Sequence, residues 1–226
     1  MSRPNVVGVV PAAGRAVRLQ PLPCSKEVLP VRGRPVLDYL VERMRAAPCD
    51  ELRVVTRPEK RDVAERAEAL GAVVVEGYPQ SVADSLLLGL DGLAAGDIVL
   101  FGFPDSVWEP VDGFARLLAV LAGDDEVVLG LFSTRDLERS DVVGLSEPDR
   151  VTEIYVKPEQ PPSELVWGCL AGSVAALEGV RGYGEPGVYL DRLARAGRVR
   201  GVRFGTEFVD IGTPEALRRH ADTVLT

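Results

Sequence analysis

Apolar residues along this chain alternate between two rhythms. The run "NVVGVV" at 5–10 is continuous and β-branched, as in a strand covered on both faces. "PVLDYLVERMRAA" at 35–47 then puts apolar residues at helical spacing, with Pro35 suited to a first turn. The exchange repeats. "ELRVVT" predicts a strand, and "PEKRDVAERAEALG" an amphipathic helix stopped by Gly71. "AVVVE" predicts a strand, and "SVADSLLLGLDGLA" a helix with Ser81 as its N-cap. "DIVLFGF", "VDGFARLLAVLAG" and "DEVVLGLF" continue as strand, helix and strand, the helix starting near Asp112 and ending at Gly123. This β-α-β-α order over 1–132 predicts an α/β fold with a doubly wound, mostly parallel, Rossmann-like sheet.

After residue 132 the rhythm loosens. "STRDLERSD" is polar. "RVTEIYV" and "LVWGCLAG" read as strands on either side of the proline-rich "KPEQPPSE", and "GVYLDRLARAG" reads as a helix. "RVRGVRF" and "EFVDIG" read as strands, and "TPEALRRHADTVL" as a last helix capped by Thr213 with Pro214 in its first turn. The expected organisation is one domain: a first half 1–132, an inserted subregion 133–198, and closing strands and helix 199–226. A chain of 226 residues buries enough surface to need no disulfide or metal for its core.

Composition narrows the function. No apolar run reaches the ~18 residues of a membrane helix, and the N-terminus lacks a signal-peptide layout, so a cytoplasmic protein is expected. Cys24, Cys49 and Cys169 are scattered and odd in number, which predicts reduced thiols. His220 is the single histidine; this argues against zinc and against Ser-His-Asp chemistry. The net charge of -8 argues against a nucleic-acid partner. It leaves room for a small phosphorylated ligand, because local charge decides that.

The local charge is concentrated in "PAAGRAVRLQPLPCSKEVLP", directly after the first strand. Arg15, Arg18 and Lys26 precede its first acid, Glu27. Open α/β sheets bind ligands at the carboxyl ends of their strands. Asp105 follows one predicted strand in "GFPDSVWEP", and Asp210 follows another in "VDIGTPEAL". If the last strand runs parallel to its neighbours, the three features meet on one edge. Arginine and lysine hold phosphate oxygens, and two carboxylates hold Mg²⁺. Neither GxxxxGK[ST] nor GxGxxG is present, which speaks against a P-loop and a dinucleotide site.

These residues resemble the nucleotidyltransferases that join a nucleoside triphosphate (NTP) to a sugar 1-phosphate, such as glucose-1-phosphate thymidylyltransferase and uridylyltransferase. "PAAGRAVRLQPLPCSKEVLPV" is similar to that family's "AAG-x-G-T-R" and "SK-x-x-LPV" segments. "YPQSVADSLLLGL", "GFPDSVWEP", "YVKPEQPP…WGCLAG" and "FVDIGTPEAL" match further segments in order across nearly the whole chain. The resemblance implies in-line attack by an acceptor phosphate on the α-phosphorus of an NTP, with pyrophosphate leaving and no covalent enzyme intermediate. It makes 1–132 the nucleotide-binding half and 133–198 the acceptor-binding subregion. It implies that Arg18 holds pyrophosphate, that Lys26 sits between the α-phosphate and the incoming phosphate, and that Asp105 and Asp210 bind Mg²⁺. Ala12, Ala13 and Gly14 would contact the nucleoside through their backbone, joined by Arg15, Tyr78 and Ser81. Gly144, Lys157 and Trp167 would bind the acceptor. The implied partners are an NTP and a phosphorylated small molecule, without nucleic acid or membrane, and homo-oligomerisation is left open. No appended acyltransferase or hexapeptide-repeat domain is expected.

The chain also departs from the family pattern. Ala16 and Val17 replace the glycine and threonine of "G-T-R"; alanine suits that place provided its φ stays negative. Tyr78 and Ser81 replace a base-reading glutamine and a glycine, which leaves the base open. Val156 replaces a sugar-binding glutamate, and Trp167 a small residue, which leaves the acceptor open. Two rivals follow: a cytidylyltransferase for a non-sugar phosphate, such as choline phosphate or a phosphonate, and a catalytically inert nucleotide-binding homologue. Retention of Arg18, Lys26 and both aspartates argues against the second.

Overall fold

The computed structural model describes residues 3–121, 126–134, 137, 140–146, 148–205 and 208–220. The expected helix end at Gly123, most of "GDDE" at 123–126, part of "STRDLERSD" and the last helix beyond His220 lie outside the described residues. β1 (Val6–Pro11) leads into a long loop with two 3-10 turns, Val17–Leu19 and Lys26–Val28, and then a short hairpin of β2 (Pro30–Val31) and β3 (Arg34–Pro35). Next come α1 (Val36–Arg45), β4 (Glu51–Thr56), α2 (Arg61–Ala69), β5 (Val73–Glu76), α3 (Val82–Leu90), β6 (Ile98–Gly102), β7 (Ser106–Trp108), α4 (Gly113–Val120) and β8 (Val127–Ser133). The remainder is β9 (Val142–Ser146), β10 (Arg150–Tyr155), β11 (Leu165–Ser173), the single-turn α5 (Val174–Leu177), α6 (Pro186–Arg195), β12 (Val199–Gly205), β13 (Phe208–Asp210) and α7 (Pro214–His220).

Local signals set these boundaries. The Ser81 hydroxyl accepts from the Asp84 amide at 3.0 Å and caps α3. Thr213 Oγ1 accepts from Ala216 N at 3.1 Å and caps α7. Gly71, at φ 67°, follows α2, where a side chain would be strained. No helix among the described residues is long and apolar enough to cross a membrane.

Among the described residues, nine strands form one mixed sheet in the order β5-β4-β1-β6-β11-β8-β12-β10-β9. From β5 to β6 it is parallel, as the alternating pattern predicts. A mostly parallel sheet is not what lies beyond. β8 does not join β6; β11 enters between them, antiparallel to both. β10 is antiparallel to β12 and to β9. β9 ends at Ser146 and β10 begins at Arg150, which leaves no room for the crossover that parallel pairing needs. β11 is buried along its whole length, which suits a central place. β9 also meets β11, Val142 opposite Val166, so the far end of the sheet curls back on itself.

The sheet is covered on both faces. Val7 and Val9 of β1 belong to one buried core with Leu86, Phe101 and Leu190, whereas Val6 and Val10 belong to another with Leu40, Val54 and Phe114. That is why the run reads as continuously apolar. A third, smaller core joins Leu19, Leu29, Val31, Val36, Tyr39, Val107, Ile211 and Leu217. It fastens the cationic loop to β7, β13 and α7, and so builds the edge on which the charged residues meet.

Candidate active site

A cleft of about 520 Å³ opens beyond the carboxyl ends of β1 and β6. Gly14, Arg15, Arg18, Lys26, Asp105 and Asp210 line one end; Phe103, Asp141, Lys157, Trp167 and Glu185 line the other. The central contact is an ion pair, Lys26 Nζ to Asp105 Oδ2 at 2.5 Å. Burial opposes charge on both groups. Attraction by Asp105, then Glu27, outweighs it and holds the Lys26 ammonium above its ordinary range. Burial likewise pushes the Asp105 carboxyl up, and Lys26 outweighs that to hold it below the ordinary carboxylate range.

Asp210 reaches Asp105 by a route other than a parallel last strand. β13 leaves the main sheet and pairs antiparallel with β7, Asp210 opposite Ser106. Ile211 N donates to Asp105 O at 2.9 Å. Phe208 anchors this strand, its ring centroid 4.8 Å from that of Phe132 and its edge against Gly168, where a Cβ would come within 2.5 Å. A Cβ on Gly212 would lie 2.8 Å from Asp210 Oδ1 and 3.4 Å from Asp105 Oδ2. Both carboxylates therefore border one small space that a side chain would fill. Among the described residues no three His, Cys, Asp or Glu side chains cluster as a metal cage. Two hard carboxylates beside a cation-lined cleft fit Mg²⁺, which prefers hard oxygen ligands.

At the far end, Trp167 is 5% exposed and its indole N–H donates to Asp141 Oδ2 at 3.2 Å. Asp141 Oδ1 is buried without a donor. Burial raises the Asp141 carboxyl to about 6, only partly offset by the indole hydrogen bond and by Lys157. Lys157 pairs with Glu185 at 2.5 Å and sits at φ 44°, an unusual backbone conformation for lysine. The Phe103 ring lies 5.3 Å from that of Trp167.

Residues 8–196 match the family model described as the MobA-like NTP transferase domain. The chain belongs to that family. It is 25% identical over 166 residues to a glucose-1-phosphate thymidylyltransferase of Neisseria gonorrhoeae, a match covering 70% of this chain and 57% of that protein. It is 34% identical over 165 residues to a 2-C-methyl-D-erythritol 4-phosphate cytidylyltransferase of Streptomyces avermitilis, covering 65% of each. It spans about half the length of the first curated relatives it matches. A solved UDP-glucose pyrophosphorylase from Acinetobacter baumanii has the same fold, with a TM-score of 0.78 at 16% identity, covering 96% of this chain and 92% of that one.

For a member of the MobA-like family, the residues expected at the site divide into two groups. Gly14, Arg15, Arg18, Lys26, Asp105, Asp210, Lys157 and Trp167 all line the cleft. Ala12, Ala13, Tyr78, Ser81 and Gly144 do not. Ala12 and Ala13 are buried below the turn after β1. Ser81 is spent on capping α3, and Tyr78 is 62% exposed beside the Arg57 guanidinium, 5.7 Å away. Gly144 sits in the β9–β10 ladder opposite Glu153, where a Cβ would meet Thr152; Asp141, just ahead of β9, reaches the cleft instead. Ala16 takes φ 49°, so the negative φ on which alanine's suitability there depended is not met.

Four polar residues escaped the sequence reading: Glu27, Arg57, Lys60 and Asp141. Arg57 and Lys60 lie in "TRPEK", which follows the β4 strand at the same sheet edge as the cationic loop. That edge rule was the available signal, and the helical pattern starting at "PEK" obscured it. Asp141 carried no signal, because it stands in a polar stretch without periodicity.

Proposed function

We propose that this chain is a Mg²⁺-dependent nucleotidyltransferase, moving a nucleoside monophosphate from an NTP to a sugar 1-phosphate with release of pyrophosphate. The observation that carries this reading is the convergence of Arg15, Arg18 and Lys26 with Asp105 and Asp210 in one cleft. A phosphate oxygen of the acceptor attacks the α-phosphorus in line; the new P–O bond forms as the bond to pyrophosphate breaks. Such a reaction needs positioning and charge neutralisation more than covalent chemistry. Arg18 is exposed on the cleft rim and takes the departing pyrophosphate. Lys26, already charged and fixed by Asp105, faces the reacting phosphates. Asp105 and Asp210 would hold Mg²⁺, which supplies a counter-charge for the phosphate oxygens. Lys157 takes the acceptor phosphate once it parts from Glu185.

The far wall favours a second reading of the acceptor. Asp141, Trp167 and Phe103 present a carboxylate and two rings, a surface suited to a substituted ammonium as well as to a sugar. The test is pyrophosphate release with Mg²⁺, each common NTP, and acceptors including sugar 1-phosphates and choline phosphate. Release with a sugar 1-phosphate supports the first reading, and release with choline phosphate alone supports the second. NTP binding without release from any acceptor refutes both and leaves an inert homologue.

A further inference from the structure

Three consecutive carbonyls in the turn after β1 are each held by a cation from below. Lys60 Nζ donates to Ala12 O at 2.6 Å and to Gly14 O at 3.1 Å. Arg57 Nε donates to Ala13 O at 2.8 Å. A peptide unit is planar and trans, so its N–H points away from its C=O. The amides of Ala13, Gly14 and Arg15 therefore point away from Lys60 and Arg57, toward the side on which Gly14 and Arg15 line the cleft. Among the described residues, none of these three amides meets a protein acceptor. Successive amides facing one way make an anion-binding concavity.

The charge beneath the turn points the same way. Lys60 gives its third proton to Glu27 Oε2 at 2.6 Å, a carboxylate with no exposed surface, so that pair is neutral. Arg57 is 5% exposed; among the described residues it donates otherwise only to Pro79 O, at 2.7 Å, and its buried Nη1 has no acceptor there. No carboxylate pairs with it among the described residues. One uncompensated positive charge thus lies under the turn, an arrangement that costs free energy unless an anion offsets it. Lys26 and Glu27 are neighbours on one 3-10 turn, which sends Lys26 to Asp105 in the cleft and Glu27 to Lys60 below it.

We infer that Lys60 and Arg57 are positioning residues for the phosphates of the nucleotide. They hold the carbonyls of Ala12, Ala13 and Gly14 inward, so that the amides of Ala13, Gly14 and Arg15 receive phosphate oxygens, and Glu27 keeps Lys60 in place. The inference rests on the NTP-binding reading above. The test uses the double variant Glu27→Gln, Lys60→Met, which removes both members of the buried pair and so leaves neither without its partner. Dissociation constants are measured with Mg²⁺ for the NTP that most stabilises the wild type and for the matching nucleoside monophosphate. The preference for triphosphate over monophosphate is expected to fall at least about tenfold, the worth of hydrogen bonds to charged groups. A merely structural role would weaken both ligands together and leave the ratio alone; an unchanged ratio in a folded variant overturns the inference and spares the NTP reading. A wild type that binds no NTP overturns both. If the variant does not fold, the wild-type amide resonances decide: Gly14 and Arg15 are expected to move downfield on adding the NTP, and amides that stay put refute the inference.

Discussion

Asp105→Asn removes one partner from the ion pair at the centre of the cleft. In the wild type, Lys26 Nζ and Asp105 Oδ2 are 2.5 Å apart, and the two side chains are 18% and 14% exposed. Breaking a fully buried pair from one side costs about 3–5 kcal/mol. Here both groups keep some solvent, and Glu27 and Asp210 also attract Lys26. The expected loss is therefore about 1–3 kcal/mol, roughly 2–10 °C in Tm for a chain of this size. The pH dependence has a definite sign. Asp105 titrates below its unfolded value, so its contribution is complete above about pH 4 and is lost as pH falls through the lower, folded value. Lys26 titrates above its unfolded value, so its contribution is complete below about pH 10 and is lost only as pH rises through the higher, folded value. The stability gap between wild type and variant should be flat from about pH 5 to pH 10 and close in acid. Urea unfolding followed by tryptophan fluorescence, across that series, measures it. A gap of equal size at about pH 3 and pH 7 refutes the ion-pair account. Under the proposed mechanism the variant should stay folded at room temperature yet lose Mg²⁺-dependent pyrophosphate release by orders of magnitude, because it lacks a proposed ligand of the charge-neutralising ion. Wild-type turnover would remove Asp105 from the mechanism.

Two further substitutions test the surroundings of the site. Asp141 is raised to about 6 by burial, so its contribution is best below the unfolded value and is lost as pH rises through about 6. Asp141→Asn should be neutral near pH 4 and stabilising by up to about 3 kcal/mol near pH 7.5, read by urea unfolding at both; an equal effect at the two pH values refutes this. Ala16→Gly should raise Tm by about 1–4 °C, because it relieves a left-handed alanine at φ 49° worth about 1–2 kcal/mol while adding about 0.5–1 kcal/mol of unfolded-state entropy. A lower Tm in thermal denaturation contradicts that reading.

Much of this molecule was legible in its linear order. Strand and helix alternation from β1 to β6 follows from periodicity and capping, which act over a few residues; β4 spans the predicted "ELRVVT", and Ser81 caps α3 as read. The family was legible because its segments recur in order, and the cations of the loop after β1 line the cleft because a strand's carboxyl end always opens at the sheet edge. Tertiary structure alone decided the rest. The place of β11 between β6 and β8 depends on which buried strand outcompetes which, and a local pattern carries no pairing partner. Asp210 meets Asp105 because Phe208 packs on Phe132, a contact between distant parts of the chain. Lys60, Arg57 and Glu27 read as ordinary polar residues; they act together only because folding buries them under one turn, where low dielectric makes each charge depend on its neighbours.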